Sequence, residues 1–145
     1  MIRRGLASVG VGVFLGACSS STDPTPTSGA SFSKDVVPIL AARCASDACH
    51  GNAQNKVGVH FIISDPAAVY AELQKTSPTA SGAKFVVPGD PKKSFLFAKI
   101  EGAQDDFTDT CTVPGCGETM PPGTKLGGEQ RATIRTWIEQ GAKND

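Results

Sequence analysis

Two short stretches of this 145-residue chain gather the side chains best able to form covalent or metal bonds: Cys44-Ala45-Ser46-Asp47-Ala48-Cys49-His50 and Cys111-Thr112-Val113-Pro114-Gly115-Cys116. A fifth cysteine, Cys18, stands alone near the N-terminus. A histidine directly after the second of two nearby cysteines is the arrangement of covalent haem attachment. Two thioethers formed with vinyl groups hold the porphyrin, and the adjoining imidazole coordinates its iron. The common motif has two residues between the cysteines, and here there are four. The longer loop can bulge outward while both sulfurs reach their vinyl carbons, and the Cys49-His50 adjacency that sets the axial ligand is kept. The expectation is one covalent haem c held by Cys44 and Cys49, with His50 on the iron.

The same cysteines admit other pairings. Cys44 could close on Cys49 and Cys111 on Cys116, which would leave His50 a solvated turn residue. The product would be a haem-free, disulfide-stabilised interaction module. A zinc site built from the four cysteines, or from three with a histidine, would sit at the wide end of zinc-knuckle spacing. Under the haem reading Cys111 and Cys116 still pair, and the five cysteines are accounted for as one lipid, two thioethers and one disulfide.

The N-terminus sets the compartment. Arg3 and Arg4 form a positive leader, and an apolar run follows from Leu6 to Leu15. That run is about half the ~20 residues needed to span a bilayer, so it reads as a signal peptide and not as a membrane helix. The closing Leu15-Gly16-Ala17-Cys18 resembles the lipobox of bacterial lipoproteins, which implies cleavage after residue 17 and lipidation of Cys18. Ser19, a residue other than aspartate, implies sorting to the outer membrane, on either its periplasmic or its surface face. Residues 18–30, rich in Ser, Thr and Pro, have no apolar anchor for a core and read as a tether. The folded domain is then 31–145, outside the cytoplasm, where unused thiols are not normally kept.

Composition narrows the partners. The whole chain carries 14 basic and 14 acidic residues; without Arg3 and Arg4 the mature chain stands at −2. Such a domain has no broad attraction for nucleic acid. Its expected partners are the membrane, through the lipid, and a redox protein of unknown identity.

Four helices are expected to position the chemistry. The first starts at Ser33 as N-cap and runs through Arg43, with Val36, Ile39, Leu40 and Arg43 on one face and Phe32 packing beneath. Pro38 is tolerable only near its first turn. Asp65-Pro66 and Asp90-Pro91 each place a capping aspartate before a proline at the first helical position. The helices they open run Ala67–Leu73 and Lys92–Ile100. The last, Glu129–Gln140, carries Ile134, Trp137 and Ile138 on one stripe, with Gly141 at its C-cap. Val59–Ile63 and Phe85–Val87 could be short strands, and residues 102–128 read as a long loop.

Several of these segments together resemble a known family. Phe32-Ser33-Lys34-Asp35-Val36-Val37-Pro38-Ile39-Leu40, Arg43-Cys44 and Cys49-His50-Gly51 look like the start of the planctomycete-type and myxobacterial cytochrome c-like domains. The likeness continues through Val87-Pro88-Gly89-Asp90-Pro91 with Ser94, Met120-Pro121-Pro122-Gly123, and Ile134 to Ala142. It implies an all-α, small class I-like cytochrome c fold: four short helices with long loops around one haem, the first and last helices crossing over it. It also implies Met120, 70 residues after His50, as the distal ligand. His/Met ligation favours reduced iron and raises the potential, as suits an electron carrier. The paired Cys111 and Cys116 would stiffen the loop presenting Met120.

His60, the only other histidine, reads as an ordinary partly exposed residue and is the rival to Met120 as sixth ligand. Lys84, Lys92, Lys93 and Lys99 make a basic cluster, read as a solvated face. Beyond the haem there is no Ser/His/Asp set in motif context, no phosphate-binding glycine loop and no second haem motif. The chain therefore reads as an electron carrier and not an enzyme, or as the accessory haem subunit of a larger redox complex.

Overall fold

A computed structural model of the chain describes residues 29–54 and 58–145. The expected signal peptide, Cys18 and all but the end of the tether lie outside them. Four α-helices form the frame: α1 (Val37–Arg43), α2 (Pro66–Leu73), α3 (Phe95–Glu101) and α4 (Gly128–Glu139). A π-helical turn, Phe32–Val36, runs straight into α1, and 3-10 turns cover Pro91–Lys93, Gln104–Thr110 and Pro114–Cys116. Among the described residues there is no strand, only isolated bridges pairing Thr76 with Lys84 and Ala80 with Cys111. The described chain is all-α.

The first helical segment starts earlier than its sequence signal. Ser31, not Ser33, is the cap: its hydroxyl accepts from the Lys34 amide, and its own amide donates to the Asp35 carboxylate at 2.7 Å. The carboxylate of Asp145 accepts the Phe32 amide at 2.7 Å, so the far end of the chain closes the same helix terminus. The Val36 amide reaches back five residues to the Ser31 carbonyl at 3.2 Å. This wider register directly precedes Pro38, which has no amide to give to a regular α ladder.

The helix expected over Lys92–Ile100 is broken at Ser94. Asp90 caps as expected, but only for the single turn Pro91–Lys93, and Ser94 is extended (φ −88, ψ 110). Its buried hydroxyl accepts from the Val87 amide at 2.9 Å and donates to the Asp90 carbonyl at 2.9 Å. A serine satisfied by local backbone competes with helix propagation, so α3 begins only at Phe95. The Asp65-Pro66 and C-terminal helices start and stop within a residue of expectation. Val59–Ile63 and Phe85–Val87 are not strands; Val59, Phe61, Phe85 and Val86 are buried from loops, while Ile62 is exposed.

Aromatic contacts join the ends of the chain. Phe32 is fully buried, stacked on Trp137 of α4 at 5.1 Å between ring centroids and edge-on to Tyr70 of α2 at 5.3 Å. Trp137 Nε1 donates to the Lys143 carbonyl and the Tyr70 hydroxyl to that of Ala142, so both polar edges are satisfied inside the core. Val36, Leu40, Ile134 and Ile138 complete this centre. Ala30 is already buried, its amide bonded to the Gln140 side chain. Residues of α2 and α3 also border a large, partly open cavity.

Candidate functional site

The cavity has a volume of about 660 Å³, inside the range of roughly 300–1,000 Å³ typical of small-molecule and cofactor sites. Buried apolar side chains make most of its wall, among them Phe61, Leu73, Phe85, Phe95 and Ile100. Its lining brings together residues far apart in the chain: Cys44, Cys49 and His50, and Met120. His60, the rival to Met120, is not among the lining residues, although its neighbours Val59 and Phe61 are.

The cysteine–histidine segment gets its shape from local backbone bonds. Arg43 ends α1, and Cys44 is its C-cap. The intervening tetrapeptide then folds back on itself. The Cys49 and Gly51 amides both donate to the Ser46 carbonyl at 2.9 Å, and the His50 amide donates to the Cys44 carbonyl at 3.0 Å. Gly51 is needed for that closure, since a Cβ there would lie 2.2 Å from the Ala45 carbonyl oxygen. The four-residue insertion is thus a compact turn.

Cys44 and Cys49 are free thiols, not bonded to each other. Cys44 is half-buried at the end of α1, and burial, with a smaller contribution from neighbouring Cys49, pushes its thiol up to about 11. Cys49 is exposed. His50 Nδ1 lies 3.2 Å from the Val59 carbonyl oxygen, and a neutral ring donating there keeps Nε2 as its lone-pair nitrogen. The Phe61 amide donates to the His50 carbonyl at 2.7 Å, and the Phe61 ring lies 5.6 Å from the imidazole. The apolar run Val59–Ile63, read as a possible strand, is instead a loop that buries two residues in contact with the histidine.

Met120 is held by a long segment that carries more structure than its composition shows. Cys111 and Cys116 form a disulfide, and Cys116 is fully buried. The Thr112 amide and hydroxyl bond the carbonyls of Thr79 and Pro78, and the Ser81 amide bonds that of Thr110. The Gln104 side chain reaches Gly117 and Thr119. The Met120 amide donates to the Lys99 carbonyl at 2.9 Å, joining the methionine loop to α3. With Cys111 and Cys116 bonded to each other, a four-cysteine zinc site is not formed. Among the described residues no three His, Cys, Asp or Glu side chains cluster as metal ligands.

Lys99 is the residue whose place sequence reading missed. Grouped with Lys84, Lys92 and Lys93 as a solvated face, it is instead 8 % exposed and borders the cavity. Burial holds its pKa below the ordinary lysine range, partly countered by the negative charge of Glu118. The signal was present: Lys99 lies four residues after Phe95, on the inward face of α3.

The donor set fits a covalent haem. Two unpaired thiols flank a turn that ends in an oriented imidazole, Met120 borders the same cavity, and its lining is largely apolar. The chain matches no protein-family model, no curated protein and no solved structure.

Proposed function

We propose that the domain is a monohaem electron carrier of the class I-like cytochrome c kind, exported and tethered to the outer membrane by lipid on Cys18. One observation carries the reading: Cys44, Cys49, His50 and Met120 border a single apolar cavity of about 660 Å³, with both thiols free. When bound, the haem supplies one-electron oxidation and reduction. Cys44 and Cys49 hold it covalently. His50 would bind the iron through Nε2, with its tautomer set by the Val59 carbonyl. Met120 provides the second ligand, in a loop tied down by the Cys111–Cys116 disulfide and by Lys99. Phe61, Phe95 and Ile100 give the site an apolar wall, and low polarity together with a thioether ligand raises the potential. The N-terminal lipid and tether keep the carrier near a membrane, within reach of a redox partner protein.

Expression of the whole chain with the cytochrome c maturation machinery tests this. The expected product carries the mass of one haem, resists alkylation at Cys44 and Cys49, and shows a sharp α-band when reduced. A mass two hydrogens below the free thiols, with Cys44 joined to Cys49 and no porphyrin, would overturn it. Fatty-acid labelling that is lost in Cys18→Ala checks the anchor.

A further inference from the structure

Lys99 is a charged group built into the wall of an apolar cavity. Its Nζ donates one hydrogen bond, to the Cys116 carbonyl at 3.1 Å, and lies 5.8 Å from the centroid of the Phe95 ring. Among the described residues no carboxylate forms an ion pair with it. The cations in ion pairs are Lys75, Lys93, Lys125, Arg131 and Arg135. Glu118, whose negative charge acts on Lys99 and which also borders the cavity, is exposed and forms no ion pair with it. Two of the three ammonium protons thus have no protein acceptor among these residues. A buried charge in that condition is costly unless something anionic completes it.

We infer that Lys99 anchors a carboxylate of the bound group, so that the cavity selects a porphyrin bearing free acid side chains and pairs one of them with the ammonium. The inference rests on the haem reading and adds to it a recognition residue outside the thioether and axial ligands. A carboxylate in this position exchanges water for a charge-assisted hydrogen bond in a low-dielectric wall, where such bonds are strongest. Because the Cys116 carbonyl already fixes the ammonium, little side-chain entropy remains to be lost on binding.

The test uses the full chain made without the maturation machinery, titrated with zinc protoporphyrin IX and, separately, with its dimethyl ester in the same dilute detergent. Porphyrin fluorescence gives both dissociation constants. Wild type is expected to bind the free acid about 10- to 150-fold more tightly than the ester, the factor equivalent to one hydrogen bond between charged groups. Lys99→Gln can still donate to the Cys116 carbonyl but carries no charge, and should bind acid and ester alike. Lys99→Arg should keep the preference. Equal binding of both porphyrins by wild type, or a preference that survives in Lys99→Gln, would overturn the inference while leaving the haem reading intact. Binding of neither porphyrin would remove the haem reading and this inference with it. Circular dichroism checks that Lys99→Gln stays helical, and if it does not, the wild-type ratio decides alone.

Discussion

Gly51 closes the turn that sets Cys44, Cys49 and His50 relative to one another, and Gly51→Ala should break that geometry. The added Cβ would stand 2.2 Å from the Ala45 carbonyl oxygen, 2.9 Å from the Ala45 carbonyl carbon and 3.0 Å from that of Ser46. All three are backbone atoms, so no side chain can rotate out of the way. To reach even 3.0 Å, the carbonyl oxygen must retreat by 0.8 Å. That retreat pulls on the bonds from Gly51 and Cys49 to Ser46 and from His50 to Cys44, all between 2.9 and 3.0 Å. Overpacking of this kind costs about 1–3 kcal/mol. For a domain of this size that lowers Tm by about 4–12 °C. The site should suffer more than the fold, because the strained atoms are those that space the two sulfurs. Haem content per chain from the pyridine haemochrome, beside a thermal melt of the same sample, reads both effects. The expected result is a sharp drop in haem loading with far-ultraviolet helicity retained. Wild-type loading together with wild-type Tm would show that the turn is not held as described.

Met120→Ala in the matured protein should abolish the weak sulfur-to-iron absorption at the red edge and lower the midpoint potential, since the thioether favours reduced iron; an unchanged spectrum would remove Met120 from the ligand set. Asp145→Ala deletes the carboxylate that accepts the Phe32 amide at 2.7 Å. Loss of such a cap costs about 0.5–2 kcal/mol, readable as a lower urea midpoint with an unchanged slope. In haem-free protein iodoacetamide should modify exposed Cys49 well before Cys44. Because the Cys44 thiol is pushed up to about 11, it stays protonated at neutral pH, and its alkylation should keep accelerating as pH rises towards that value. Equal rates at pH 8, resolved by peptide mass mapping, would contradict the burial assigned to it.

The wall of the cavity is assembled from segments with little regular structure. The bond from the Met120 amide to Lys99, the threonine bonds linking residues 78–81 to 110–112, and the Phe61 amide on the His50 carbonyl are all loop contacts. The buried residues Phe61, Leu73, Phe85, Phe95 and Ile100 that line the cavity belong to the same apolar cluster as Phe32 and Trp137, so the cavity wall and the core are continuous.

Much of this protein could be read along the chain, because the relevant physics is local. Aspartate before proline starts a helix wherever it occurs, and both such pairs cap here. The stripe Ile134, Trp137, Ile138 follows from the helical repeat and is buried as expected. The adjacency of Cys49 and His50 is a property of the sequence itself. What only the tertiary structure decided are choices between competing local options and meetings between distant residues. Ser31 displaced Ser33 as a cap because Asp35 and Asp145 converge on that terminus. Ser94 broke a helix because the backbone of 87–90 came within reach of its hydroxyl. The helical repeat put Lys99 on the face of Phe95, but its hydrogen-bond partner, the Cys116 carbonyl 17 residues on, is set by the fold and not by periodicity. The placement of Met120 and His50 on one cavity is likewise a long-range fact, set by loop closure and not by the propensity of any residue involved.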